Sequence, residues 1–332
     1  MNLSYTKPAD WPQLRTGSIA DVLGLNCRRQ TAPEATPDAQ EAPIALLGLP
    51  DDTGVSLNHG RPGAAQGPTA FRATLARFGN PFDAATNSIL TTRFVDCGDV
   101  VCSDHPDPET RLHENHDRTS QSIEALHNAG FITVGIGGGH DGTFAFARGL
   151  ARSLQASDPN TRLAGLNLDP HLDVRETTGS GMPFRQLIEQ DFLDPARFTE
   201  LGIGRFSNSR EHIEYLACRG SRLTTTDDLL ANPVATIDSA FHHAFGTGTP
   251  GFVTIDLDAL DGSYAPGVSA VNPMGVTPDI ASAVAERAGE TPGVRHFDIM
   301  ELCPPHDDGR TARIAAMLFA YFLAGFRKRP RA

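Results

Sequence analysis

Clustered positive charge is missing from this chain. Its 332 residues carry 28 Lys and Arg against 40 Asp and Glu, a formal net charge of −12. Phosphate backbones and anionic lipid surfaces are gripped by groups of cations. A nucleic acid or a membrane surface is therefore not an expected partner. No apolar run approaches the roughly eighteen residues of a bilayer span, and the stretch Met1 to Asp10 lacks the apolar core of a secretory signal. Cysteine is scarce as well. The five present (Cys27, Cys97, Cys102, Cys218 and Cys303) form neither an even framework nor a Cys-x-x-Cys pair, which argues against a disulfide scaffold and a zinc knuckle. The expectation is a cytoplasmic protein in a reducing compartment.

What remains is ordinary globular composition, 39% hydrophobic and 20% charged, enough to build a sizeable core. Residues 1–42 carry little periodicity and read as an N-terminal extension, with a linker over Thr31 to Pro43 rich in Ala, Pro, Glu and Thr. Residues 43–332 read as one domain. Short apolar runs mark strands at Ile44 to Leu49, Phe94 and Val95, Phe131 to Ile136, Leu163 to Leu168, Leu201 to Ile203, Phe252 to Leu257 and Val294 to Ile299. Helical spacing occurs between them: after Pro68 (Phe71, Leu75, Phe78), over Pro108 to Asn128, near Phe144 to Leu154, over Asp279 to Ala288, and in the apolar stretch Ala312 to Phe326. Such alternation predicts an α/β fold, a mostly parallel sheet covered by helices on both faces. The polar setting of His113, His116 and His127 places all three on the solvated side of their helix. The loop Asp51 to Gly67 is long and turn-rich, either a binding loop or a surface excursion.

Candidate chemistry gathers after strands. Asp169, His171 and Asp173 sit at alternate positions beyond Leu163 to Leu168, so an extended backbone turns all three to one side. Asp256 and Asp258 repeat the spacing. Carboxylates held so close resist joint ionisation unless a cation lies between them. His140 follows the run Gly137-Gly-Gly, which lacks the lysine of a P-loop and the spacing of a dinucleotide fingerprint. Those glycines instead let backbone approach closely, so that His140 can reach inward. Glu301 follows the final strand. In open α/β sheets ligands collect beyond the carboxyl ends of strands, and four such ends carry every candidate here.

Gly-Gly-Gly-His140, Asp169-Pro-His-Leu-Asp173 and Asp256-Leu-Asp258, the last extending to Ser269 with Gly275 beyond, resemble the three metal-binding boxes of the ureohydrolases, the arginase, agmatinase and formimidoylglutamase group. The resemblance spans about residues 44–325. Pro170, Thr254 and Gly262 depart from the usual residues, and none removes a ligand. It implies a three-layer αβα, arginase/deacetylase-like fold and two Mn²⁺ ions per subunit. His140 and Asp173 would serve one ion, His171 and Asp258 the other, with Asp169 and Asp256 bridging. Oxygen and imidazole donors without thiolate suit manganese, and two such charges make hydroxide available near neutral pH against a poorly electrophilic amidine or guanidinium carbon. By the same resemblance Asp173 would pass a proton to the leaving nitrogen, and Glu301 would pair with the cationic nitrogens of the substrate.

Within the group the chain looks most like the formimidoylglutamases. Ser180 stands in the loop where arginases and agmatinases usually carry a histidine. Arg175 follows Asp173 by two, where a guanidinium could grip a substrate carboxylate bidentately; a structural ion pair with Glu176 or with the acidic groups around the site is the alternative. Asn58 and Arg61, in Asn58-His-Gly-Arg61, look like the same branch, with Arg61 a second candidate for that carboxylate. The implied reaction is hydrolysis of N-formimidoyl-L-glutamate, a small-molecule substrate, to L-glutamate and formamide. A ureohydrolase of a guanidino acid or agmatine, a non-catalytic regulatory relative and a single-zinc deacetylase on the related fold are the other readings. A homo-trimer or hexamer is the assembly the group implies.

Overall fold

The computed structural model describes residues 3–25 and 40–329. The strands are β1 (Thr6–Lys7), β2 (Ile44–Gly48), β3 (Phe82–Asp83), β4 (Ser88–Ile89), β5 (Phe94–Val100), β6 (Ile132–Ile136), β7 (Leu163–Leu168), β8 (Leu193–Ile203), β9 (Arg222–Thr225), β10 (Gly251–Asp256) and β11 (Val294–Met300). The helices are α1 (Ile19–Leu23), α2 (Thr53–Leu57), α3 (Gly67–Leu75), α4 (Pro108–Asn128), α5 (Gly142–Gln155), α6 (Pro183–Glu189), α7 (Arg210–Ala217), α8 (Thr226–Ala231), α9 (Pro233–Phe245), α10 (Pro278–Glu290) and α11 (Arg310–Phe326).

Nine strands form one sheet in the order β1-β5-β2-β6-β11-β10-β7-β8-β9, and β3 and β4 make a separate hairpin. Every pairing in the large sheet is parallel except β1 with β5. Alternation along the strands feeds two layers. Ile44 and Leu46 of β2 join the core beneath α3, α10 and α11, while Ala45 and Leu47 face Ile123 and Leu126 of α4. Phe144 and Leu150 of α5 pack with Phe184 of α6 and Phe198 and Phe252 of the sheet. The result is the αβα sandwich that alternating strands and helices predict.

Helix ends follow local chemistry. Pro108 opens α4, where a missing N–H costs nothing, and the Asp107 side chain accepts from Thr110 N at 2.9 Å. Phe78 lies beyond the end of α3, which stops at Leu75. The Asp51 to Gly67 loop is no loose excursion: it holds α2 and a 3-10 turn over Ala64–Gln66. Strand β9 and the edge strand β1 escape a sequence reading because Arg-Leu-Thr-Thr and Thr-Lys carry almost no apolar signal. Most of the linker read over Thr31 to Pro43 lies outside the described residues. Residues 3–25 do pack on the sheet. Trp11, Ile19, Ala20 and Leu23 enter the main core, and Trp11 Nε1 donates to Asp96 at 2.5 Å.

Asp96 belongs to a buried ionic knot that ties β5 to α3. Arg72 Nε and Nη2 donate to Asp96 at 2.8 and 2.9 Å, and Nη1 donates to Asp99 at 2.6 Å. Removing one partner of a buried pair strands the other charge. Arg72→Ala should therefore lower the unfolding free energy by about 3–5 kcal/mol, read as a shifted urea midpoint. Arg310→Ala, which breaks an exposed pair with Asp308, should leave that midpoint in place. Equal midpoints for Arg72→Ala and the parent would refute the knot's structural role.

Candidate metal centre

Strands β6, β11, β10 and β7 are consecutive neighbours in the sheet. Their carboxyl ends deliver His140, Glu301, Asp256 with Asp258, and Asp169 with His171 and Asp173, in that order across the rim. The four strand ends picked out in sequence are thus one contiguous edge. Three backbone features aim the side chains. Asp173 and Glu301 adopt φ of 45° and 62°, a left-handed conformation uncommon for such residues, of a kind that clusters at functional sites. At Gly138 a Cβ would fall 1.5 Å from the Asp51 carbonyl oxygen, so only glycine lets this loop pass the end of β2 and carry His140 to the rim.

Two groups of donor atoms converge there. His140 Nδ1 lies 2.9 Å from Asp169 Oδ2, 3.0 Å from Asp173 Oδ2 and 3.1 Å from Asp256 Oδ2. His171 Nδ1 lies 3.3 Å from Asp169 Oδ1 and 3.4 Å from Asp258 Oδ2. The trios His140, Asp169, Asp173 and Asp169, His171, Asp258 each have the spacing of a cation site. Asp169 belongs to both, one oxygen to each histidine. Asp256 falls outside the two trios: its Oδ2 approaches His140 and its Oδ1 accepts from Asp258 N at 2.8 Å.

The donor set fits divalent cations on the structure's own terms. His140 Nδ1 has three carboxylate oxygens around it and no aligned hydrogen-bond partner, and Asp258 Oδ1 and Glu301 Oε2 also lack partners while buried. One ring nitrogen cannot serve three acceptors as an N–H donor, whereas converging oxygens and a nitrogen lone pair suit a hard or borderline cation. Charge tells the same story. Burial raises Glu301 and Asp258 well above the carboxylate range, and neighbouring Asp256 pushes both further. Asp173 is raised by burial and by Asp169. Burial would lower His140, yet Asp169, Asp173 and Asp256 drive it well above its ordinary value. Burial likewise opposes His171, which Asp258 and Asp169 push up to about 12. Five carboxylates against two imidazoles leave a surplus of buried negative charge.

Glu301 is 4% exposed and accepts from His140 N at 3.1 Å, so it is not a surface residue. Beside the cluster, Asn58 links two loops: its Oδ1 accepts from Arg175 Nη1, and its Nδ2 donates to Ser180 Oγ at 3.1 Å. Arg175 is exposed, and Glu176 pairs with Arg185 instead, at 3.4 Å. Arg61 is exposed, and its Nε and Nη2 donate to the carbonyls of Ser269 and Val268 at 2.9 and 2.6 Å, so it ties its loop to the segment beyond β10. His116 corrects the solvated assignment. It is buried, and its Nε2 contacts Asp141 at 2.8 Å. His127 is half-buried against Thr133, and only His113 is exposed.

Sequence reasoning passed over the polar support beneath the rim. Asn167 Nδ2 donates to Glu200 at 2.9 Å and to Asp169 at 3.3 Å, with Glu200 wholly buried. The signal was available: Asn167 shares the alternation of Asp169 in an otherwise apolar strand. Among the described residues no helix is long and apolar enough to cross a membrane.

Comparison with known proteins agrees with this geometry. A sequence profile of the arginase family matches residues 42–325. A formimidoylglutamase of Aromatoleum aromaticum is 34% identical over 314 residues, which cover 92% of this chain and 88% of that one. A formimidoylglutamase of Ralstonia nicotianae is 35% identical over 293 residues, 85% of each chain. The crystal structure of Trypanosoma cruzi formiminoglutamase with Mn²⁺ matches with a TM-score of 0.81 at 28% identity, over 97% of this chain and 100% of that chain.

The surplus charge has a signed consequence. A carboxyl group whose folded pKa is raised withdraws stability as pH climbs from its unfolded value through the folded one. In chelator-treated protein, Asp258→Asn should therefore raise the melting temperature, by a margin that widens as pH rises above the ordinary carboxylate range. A lower melting temperature at pH 8 would contradict the charge surplus.

Proposed function

This chain belongs to the arginase family, and from that premise we propose that it hydrolyses the amidine carbon–nitrogen bond of N-formimidoyl-L-glutamate, giving L-glutamate and formamide. The observation that carries the reading is the pairing of the acidic rim with the Asn58, Arg175 and Ser180 cluster on the adjoining loops. One end would receive a cationic amidine, and the other offers a guanidinium to a carboxylate. Relatives named formimidoylglutamase, matched over most of both chains, support it.

His140, Asp169 and Asp173 would hold one Mn²⁺, and Asp169, His171 and Asp258 a second, with Asp256 beside the first. Such ions, when bound, would lower the pKa of a water at the rim and stabilise developing negative charge. The remaining work falls to the chain itself. The Glu301 carboxylate orients the amidinium through charge-assisted hydrogen bonds and selects for positive charge at the reacting carbon. Asp173, on a loop whose strained φ fixes its direction, takes the proton that water releases and passes it to the departing glutamate nitrogen. The N–C bond breaks as that nitrogen gains its proton, and water's oxygen stays on the carbon as formamide. Ser180 occupies the position where a basic histidine would favour a guanidine. Arg175, steadied by Asn58, binds a carboxylate and repels a substrate whose far end is an amine.

The purified protein supplied with Mn²⁺ should release formamide from N-formimidoyl-L-glutamate and little urea from arginine or agmatine. More efficient urea release from a guanidino acid would move the assignment to that substrate class, and no turnover of any amidine or guanidine, with no metal retained after dialysis, would favour a regulatory role. Arg175→Leu should raise KM roughly 10- to 100-fold with a smaller change in kcat, as expected for loss of one charge-assisted contact of about 1.5–3 kcal/mol. An unchanged KM would remove Arg175 from substrate binding.

A further inference from the structure

Behind His140 a line of hydrogen bonds runs into the sheet. His140 Nε2 meets Thr254 Oγ1 at 3.1 Å, and Thr254 Oγ1 meets Thr143 Oγ1 at 3.3 Å. Thr143 Oγ1 lies 3.2 Å from both oxygens of Asp298. Beyond Asp298 the line continues: His296 Nε2 at 3.1 Å, then Thr133 Oγ1, 2.7 Å from His296 Nδ1 and 3.0 Å from His127 Nε2. The register of the sheet builds this row, since Thr254 pairs with Asp298 across β10 and β11, and His296 with Thr133 across β11 and β6. All members from His140 to Thr133 are buried.

One proton arrangement satisfies the row. A carboxylate only accepts, so Thr143 gives its hydroxyl proton to Asp298. The Thr143 oxygen must then accept from the Thr254 hydroxyl, and the Thr254 oxygen from His140. His140 therefore carries a proton on Nε2, so that Nδ1, the nitrogen facing Asp169, Asp173 and Asp256, is the one left to offer a lone pair to a cation there. On the other side His296 and, through it, Thr133 and His127 also donate toward Asp298. The tautomer of a histidine is set by the bond its other nitrogen makes.

We propose that Asp298, acting through Thr143 and Thr254, is the positioning residue that holds His140 in the Nε2-protonated form, lone pair toward the cation site. The inference rests on the reading of His140 as a metal ligand. Without the Thr143 hydroxyl, Thr254 loses its acceptor and turns its own proton on His140 Nε2. The ring proton then moves to Nδ1, where it blocks coordination.

The test compares two buried, isosteric changes on the two arms. Titration calorimetry of Mn²⁺ into dialysed full-length protein should show Thr143→Val binding roughly 10- to 100-fold more weakly than the parent, with Thr133→Val and Thr143→Ser within about threefold of it. If Thr143→Val fails to fold, Asp298→Asn takes its place with the same expectation, since its amide can donate to Thr143 and reverse the arm. Parent-like binding by Thr143→Val, or equal weakening by Thr133→Val or Thr143→Ser, overturns the inference while leaving the proposed function intact. A parent protein that takes up no Mn²⁺ overturns both.

Discussion

Negative charge packed against the end of a parallel sheet governs this molecule. Asp169, Asp256, Asp258 and Glu301 are all nearly excluded from solvent, and Asp173 joins them around two imidazoles. Repulsion among such groups at low dielectric is severe. Protonation relieves part of it, which is why several carboxyl groups and both histidines are displaced upward. Cations relieve it without neutralising the ligands, and they turn the same repulsion into binding energy. The rest of the architecture serves to hold this unfavourable arrangement in place until it is compensated.

Rigidity is the means. Four adjacent strands fix the spacing of the donors, their hydrogen bonds satisfied within the sheet, and large apolar side chains cover both faces. Phe184 sets its ring against His140, with centroids 5.6 Å apart and planes at 84°. Beneath the rim, Asn167, Glu200, Thr254 and Asp298 occupy strand positions that an apolar core would ordinarily claim. Burying such groups costs stability unless each finds a partner. Asn167 reaches Glu200 and Asp169, Thr254 reaches His140 and Thr143, and Asp298 reaches Thr143 and His296, so the bonds they make run to the side chains of the candidate metal site. The buried Arg72 knot plays the corresponding part near the β1 edge of the sheet, between α3 and β5.

Much of this was legible in the residues. Period-two clusters such as Asp169, His171, Asp173 announce their common face because strand geometry is simple, and apolar runs mark the central strands because both of their faces are buried. The helix Pro108–Asn128 was legible from its spacing and from the proline that opens it. Tertiary fate was harder. His116 sits among polar neighbours on α4, yet α5 lies over it and supplies Asp141; nothing within its own helix encodes that cover. Arg61 resembled a substrate ligand by type, and only folding brings the carbonyls of Val268 and Ser269 to it. Asp298 looked like an ordinary strand residue until the register placed Thr254 beside it.

The account is tested most directly by anomalous diffraction from crystals grown with Mn²⁺, collected on both sides of the manganese absorption edge. It predicts two peaks at the strand rim, one among His140, Asp169 and Asp173 and one among Asp169, His171 and Asp258, with an Asp169 oxygen turned to each. Crystals of active protein with no manganese signal at that rim would contradict it.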